Sequence, residues 1–309
     1  MIQTVFSAAL PVGESLVVRK NRIGEHMRSG PRIAVITGMH GDELEGQYVA
    51  FELARRLTER PADLHGMVDI YPAVNPLGLS SHERGVPQFD IDLDRTFPGD
   101  KNGSLTEVLA DALVRDLEGT SVCIDIHSSS IYTQELTQIR IDEHNARPLV
   151  RLAALLNARL VWTRKPVAAR ESTLSHTLNE RGIPTLVVDM GAGMRLDEEA
   201  GSWLVEGILR LLEHLHAWTG PTIALPNPLV SNGSNVCTLR CESPGIFLPS
   251  AMHGNRVQKG SLVGSVCDPL SGTVRQQIVA PCTGLLFTLR TYPVVYPGSL
   301  LARILEVRI

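Results

Sequence analysis

The sequence has little cysteine and no cysteine pattern. Its 309 residues carry five Cys, at 123, 237, 241, 267 and 282. An odd number with no C-x-x-C pair excludes a disulfide scaffold and fits a reducing compartment. It also lacks a basic excess. Lys+Arg is 29 against Asp+Glu 33, a net charge of −4, which argues against a general nucleic-acid binder. There is no run of about 18 apolar residues that would read as a membrane span. The N-terminal MIQTVFSAALPVGESLVVRK has no basic region ahead of its short apolar stretch, and Pro11 interrupts it, so it does not read as a secretion signal. Without such a signal, Asn102-Gly-Ser and Asn232-Gly-Ser read as turns rather than glycosylation sites. No G-x-S-x-G elbow, G-x-G-x-x-G turn or phosphate-binding GKS/GKT loop occurs. The expectation is a cytoplasmic protein that works on a small molecule, not on nucleic acid or a membrane. Nothing in these absences speaks against a homo-oligomer.

What is present is enough apolar residue for a core: 43% hydrophobic against 20% charged. The first two-thirds alternate strand-like and helix-like segments. Ile33–Thr37 reads as a strand and Asp42–Arg60 as a helix ended by Pro61. Met67–Val74 reads as a strand and residues 75–104 as a long Gly/Pro/Ser/Asp-rich loop, a kind usually kept for function. Ser104 with Glu107 forms a capping box for a helix carrying Leu105, Val108, Leu109 and Leu113. Then come a strand over Ser121–His127, a helix over 148–160, a strand over Thr185–Met190 and a helix over Gly201–Trp218. Alternation of this kind predicts an α/β fold with a mixed, largely parallel sheet flanked by helices. Near residue 220 the pattern changes to short apolar stretches punctuated by Gly and Pro, which predicts an all-β module. The expected division is 1–220 for the α/β domain and 221–309 for the β module.

The chemistry concentrates at Gly38-Met-His-Gly-Asp-Glu-Leu-Glu45. His40 and Glu43, spaced H-x-x-E at a strand-to-helix junction, can reach one ion, and an imidazole nitrogen with a carboxylate oxygen suits zinc. Val122-Cys-Ile-Asp-Ile-His127 supplies the third group. On a strand Cys123, Asp125 and His127 share one face, and His127 falls at the carboxyl end, where open α/β sheets place ligands. Two His and one Glu make a three-ligand zinc site with a fourth position open, one metal per subunit. Asp125 is placed to orient the His127 imidazole, or is satisfied by backbone or solvent. His214 and His216, two apart on a helix, do not face each other and read as surface. Cys237 and Cys241 have no matching pair for a structural zinc.

In order along the chain, GMHGDELEG, NPLG, an Arg, DLDRTFPG and DIHS resemble the succinylglutamate desuccinylase/aspartoacylase family of zinc carboxypeptidase-like hydrolases, over roughly residues 33–309. The resemblance implies that His40, Glu43 and His127 bind zinc. It implies that Arg84 steadies the polarised carbonyl, and that Arg95 grips the substrate carboxylate as part of a binding set with Asn75 and Asp94. A guanidinium fork suits a carboxylate, and a second cation suits a developing oxyanion. Two positions depart from the family. Asp94 stands where Asn is usual, which weakens a carboxylate grip. Asp189, in Val187-Val-Asp-Met-Gly191, stands where the family carries a Glu general base. Asp is one methylene shorter; the backbone shifts to compensate, Glu198 or Glu199 substitutes, or the site is catalytically weak. The β module resembles the barrel-sandwich hybrid of biotinyl and lipoyl domains without their Met-Lys-Met tripeptide, which implies a structural or gating role. The implied function is zinc-dependent deacylation: metal-activated water cleaves the amide of a small N-acylated amino acid or amine. Metallocarboxypeptidase action on short peptides, or zinc binding without catalysis, are the alternatives.

Overall fold

A computed structural model of the chain describes residues 1–24, 30–165 and 167–307. The strands are β1 (Ile2–Ala9), β2 (Ser15–Ile23), β3 (Arg32–Ile36), β4 (Met67–Tyr71), β5 (Val122–Ser128), β6 (Thr133–Asp142), β7 (Leu160–Arg164), β8 (Thr185–Gly191), β9 (Leu229–Ser231), β10 (Val236–Arg240), β11 (Gly245–Pro249), β12 (Arg256–Val257), β13 (Leu262–Asp268), β14 (Thr273–Val279), β15 (Gly284–Arg290), β16 (Val294–Val295) and β17 (Leu300–Glu306). The helices are α1 (Glu45–Glu59), α2 (Pro76–Ser81), α3 (Leu105–Leu117), α4 (Ala146–Ala153), α5 (Leu174–Glu180) and α6 (Glu198–His214).

One large mixed sheet runs β1-β2-β4-β3-β5-β8-β6-β15-β17-β10, with β7 beside β6. Its centre, β4-β3-β5-β8, is parallel; β2 and β6 join it antiparallel on either side. A separate antiparallel sheet, β14-β13-β11-β16, lies in the C-terminal part. The expected α/β architecture with a C-terminal all-β module is therefore present. The strands after residue 220 also extend the main sheet: β15 pairs with β6 and β9 with β7. Phe247, Val263 and Val266 of the small sheet share a core with Leu286, Leu301 and Ile304.

The period-2 alternation of the central strands separates two cores. Ile33 and Val35, then Val122, Ile124 and Ile126, point to one face and pack with Val49 and Leu53 of α1 and Leu204 and Ile208 of α6. Ala34, Ile36 and Cys123 point to the other and pack with Leu109, Leu113 and Leu117 of α3. Asp125 and His127 lie on this second face, as the alternation predicts. The capping box forms: Ser104 Oγ and backbone N both bond Glu107 Oε2 at 2.7 Å, satisfying donors at the start of α3.

Several elements differ from the sequence reading. Helix α1 begins at Glu45, because residues 40–44 are needed as a turn that aims His40 and Glu43 inward. The long loop contains α2 and a 3-10 turn over Leu93–Arg95, and buried Val86, Leu93 and Phe97 pin it to the second core. Strands β1, β2, β6 and β7 and helix α5 were not predicted. In β6, Thr133, Glu135, Thr137 and Gln138 are buried polar residues, and Thr133 and Glu135 line a cavity, so the usual apolar signal is missing. All five cysteines are free thiols, in keeping with the absence of a disulfide framework. Among the described residues no helix is long and apolar enough to cross a membrane.

Candidate active site

The turn after β3 depends on two glycines. Gly38 has φ 65°, a left-handed conformation that favours glycine. At Gly41 a Cβ would fall 1.9 Å from the carbonyl carbon of Gly78, so only glycine lets α2 approach. The Gly41 N–H donates to Glu83 O at 3.1 Å, which ties this turn to the segment carrying Arg84. Asn75 builds the same junction: its Oδ1 accepts from Gly78 N and its Nδ2 donates to Gly85 O, each at 2.9 Å.

His40, Glu43 and His127 come together, 2%, 4% and 7% exposed. His40 Nδ1 lies 2.9 Å from Glu43 Oε1, and His127 Nδ1 lies 3.0 Å from Glu43 Oε2. The two Nδ1 atoms are 3.3 Å apart. The outer ring nitrogens are also held: His40 Nε2 is 2.9 Å from Asp92 Oδ1 and His127 Nε2 is 3.2 Å from Asp125 Oδ2. A carboxylate on the outer nitrogen keeps the proton there and turns the inner lone pair toward a metal. Asp125 thus contacts His127 at its outer ring nitrogen. Asp92 does the same work for His40 and was missed, although it opens the Asp92-Leu-Asp-Arg run; asking what orients each ligand imidazole would have found it.

The electrostatics call for positive charge at this point. Burial alone would raise the Glu43 carboxyl, but His127 and His40 hold it well below the usual carboxylate range. Burial likewise opposes charge on both imidazoles, yet Asp125 and Glu43 push His127 well up, and Asp92 and Glu43 push His40 up. Asp92 is held down to about 2: burial opposes, and the His40 hydrogen bond and Arg84 outweigh it. Three carboxylates around two inward-facing imidazoles suit a divalent cation, and the two-nitrogen, one-oxygen donor set suits zinc.

These groups open into a cavity of about 620 Å³, within the usual range for small-molecule sites. Arg84, Asp94, Arg95 and Asp189 line it; Asn75, Glu198 and Glu199 do not. Arg84 donates to Glu43 Oε1 at 2.8 Å, and its side chain lines the cavity and is 49% exposed. Arg95 Nε stands 4.0 Å from Asp92 Oδ2. Asp94 Oδ1 accepts from Leu174 N at 3.2 Å, and burial pushes this carboxyl up to about 6. Asp189 is paired with His127 in the β5–β8 register, and its Oδ2 is 2.7 Å from Arg140 Nη1. Burial raises its pKa against the pull of Arg140. Arg140 also pairs with Glu135, whose other oxygen meets Arg303 Nη1 of β17 at 2.7 Å, so the C-terminal strands supply part of the cavity wall. Arg140 and Glu135 escaped notice because β6 itself was not recognised. Glu198 and Glu199, in the first turn of α6, are exposed.

A mixed α/β sheet with a His-Glu-His cluster at the carboxyl end of its parallel centre, opening into an arginine-lined cavity, defines a small-molecule hydrolase with a candidate metal centre. The family model for the succinylglutamate desuccinylase/aspartoacylase catalytic domain matches residues 29–215, and the chain belongs to that family of deacylating hydrolases. It is 28% identical over 291 residues to N-alpha-acetyl-L-2,4-diaminobutyric acid deacetylase of Halomonas elongata, covering 90% of this chain and 83% of that one. The fold is shared with a succinylglutamate desuccinylase/aspartoacylase from Rhodobacter sphaeroides (TM-score 0.82, 22% identity, 100% of this chain and 96% of that one). It is shared equally with the product-bound ectoine utilization protein EutE (DoeB) from Ruegeria pomeroyi (TM-score 0.83, 21% identity, 99% and 95%).

Proposed function

We propose that the protein is a zinc-dependent deacylase that hydrolyses the amide of a small N-acylated amino acid, one zinc per chain, held by His40, Glu43 and His127. The observation that carries this reading is the convergence of those three side chains within hydrogen-bond distance of one another in the wall of the arginine-lined cavity. The chemistry a zinc ion supplies when bound there is polarisation of the amide carbonyl and activation of water at neutral pH. The protein's own groups divide the rest. Asp92 and Asp125 hold the two imidazoles in the ligating tautomer. Arg84 donates to the carbonyl oxygen as negative charge develops on it. Asp189 accepts a proton from water at its carboxylate and returns it to the leaving amine nitrogen, while Arg140 fixes its orientation. Arg95 presents its fork to the substrate carboxylate. Asn75 acts through position, holding Gly85 and hence Arg84 in place. Residues 1–220 carry this machinery, and residues 221–309 close the cavity from one side through Leu300 and Arg303.

Asp94 narrows the substrate class. A carboxylate beside Arg95 repels a second substrate carboxylate and attracts an ammonium group. N-acylated diamino acids, the class named for the Halomonas elongata relative, meet both requirements. The test is a hydrolysis panel on zinc-loaded protein: N-α-acetyl-2,4-diaminobutyrate, N-acetylaspartate, N-succinylglutamate and short dipeptides. Fastest turnover of the diamino substrate supports the reading, and Asp189→Ala should abolish it. Dipeptides cleaved fastest would make the protein a carboxypeptidase. No turnover of any amide by fully loaded protein would make it a non-catalytic zinc binder.

A further inference from the structure

We propose a second divalent-cation site on the rim of the cavity, formed by His144, His176 and Glu180. Its ligand atoms all lie within 4.8 Å of one another. It draws on two elements: His144 lies in the 3-10 turn over Glu143–Asn145 that follows β6, while His176 and Glu180 belong to α5. Spaced i and i+4, His176 and Glu180 share one face of that helix, the spacing at which two side chains can grip one ion. His144 completes the triangle. Its Nε2 stands 3.5 Å from Glu180 Oε1, and its ring lies 6.3 Å from that of His176 at 68°.

Asn145 Nδ2 lies 2.9 Å from His144 Nε2, a contact that a cation bound at that nitrogen would displace. A zinc ion with bonds of about 2.0–2.1 Å needs its ligand atoms about 3.3 Å apart. The side chains of His144 and Glu180 are 38% and 58% exposed, so modest rotation closes the remaining gap without disturbing the core. The donor set, two imidazoles and one carboxylate, is the borderline-soft set that selects zinc, cobalt or nickel over calcium or magnesium. Arg181, the residue after Glu180, pairs with Glu118 at 3.3 Å.

This site is separate from the one formed by His40, Glu43 and His127, and it does not depend on the protein being a deacylase. Its role is mechanical. His176 and Asn145 line the cavity, and the N-terminal end of α5 holds Asp94 through Leu174 N. A cation bridging α5 to the 143–145 turn would tie down the helix whose Leu174 N–H holds Asp94.

Zinc alone is the probe. Protein holding its tightly bound metal is titrated with further zinc, followed by calorimetry, thermal unfolding and the imidazole resonances of His144 and His176. The expected result is one further saturable equivalent, a rise in melting temperature, and shifts confined to those two imidazoles. Affinity should fall at least about tenfold in His176→Ala and in Glu180→Gln. Glu180 is exposed and Glu180→Gln keeps the side chain's shape, so loss of folding does not confuse the outcome. No saturable second equivalent, or binding unchanged in both variants, overturns the proposal.

Discussion

Replacing Asp94 by Asn should stabilise the metal-free protein at pH 8 and do nothing at pH 4. The folded-state carboxyl is pushed up to about 6 by burial, against an ordinary value of 3.8. Between those two pH values the native state holds a proton that the unfolded state has released, so native stability falls as pH rises through this window and levels off above it. About two units at 1.36 kcal/mol each would be roughly 3 kcal/mol if the side chain were fully sealed. It is only partly buried, so solvent screening trims this to about 1–2 kcal/mol. Asn keeps the acceptor oxygen for Leu174 N and removes the charge. For a chain of this size the gain is a rise in Tm of roughly 2–5 °C at pH 8. The assay is thermal unfolding of both proteins in chelator at several pH values from 4 to 8. The reasoning requires the difference to grow as pH rises through the 4–6 window. A difference independent of pH, or largest at the acidic end, would refute it.

Four other substitutions probe the neighbouring contacts. Asp92→Ala and Asp125→Asn should each weaken zinc binding about 10–100-fold, read by competition with a chromophoric chelator, because each frees one ligand imidazole to turn. Arg140→Met leaves Asp189 and Glu135 buried without their shared cation and should cost about 3–5 kcal/mol in urea unfolding at pH 7. Asp189→Asn, which keeps the shape and loses the proton acceptor, should lower kcat about 10²–10⁴-fold with KM little changed.

The candidate metal ligands were legible because they sit where two strong signals meet: an apolar strand run, and a polar residue at its carboxyl end. Ile33–Thr37 followed by Gly-Met-His40, and the alternation through His127, gave both element and facing. What surrounds them was less legible for a physical reason. A strand that lines a polar cavity carries Thr133, Glu135 and Arg140 toward it, so β6 loses the apolar period that marks a strand. With β6 unseen, Arg140 could not be placed against Asp189. The N-terminal hairpin was passed over for a similar reason. Lys20 and Arg22 place charge in β2, where they surround buried Asp69, with Lys20 only 3% exposed. Asn75 shows the opposite case. Its place in a conspicuous motif suggested substrate contact, and its two polar atoms are spent on Gly78 and Gly85.

The most direct test of the account is the zinc content of purified protein after a brief wash with a weak chelator, measured by elemental analysis beside Glu43→Gln and His127→Ala. The account predicts about one tightly held zinc per wild-type chain and essentially none in either variant, with the fold retained. Wild-type protein free of zinc, or variants that keep it, would contradict the assignment of His40, Glu43 and His127 as the metal centre.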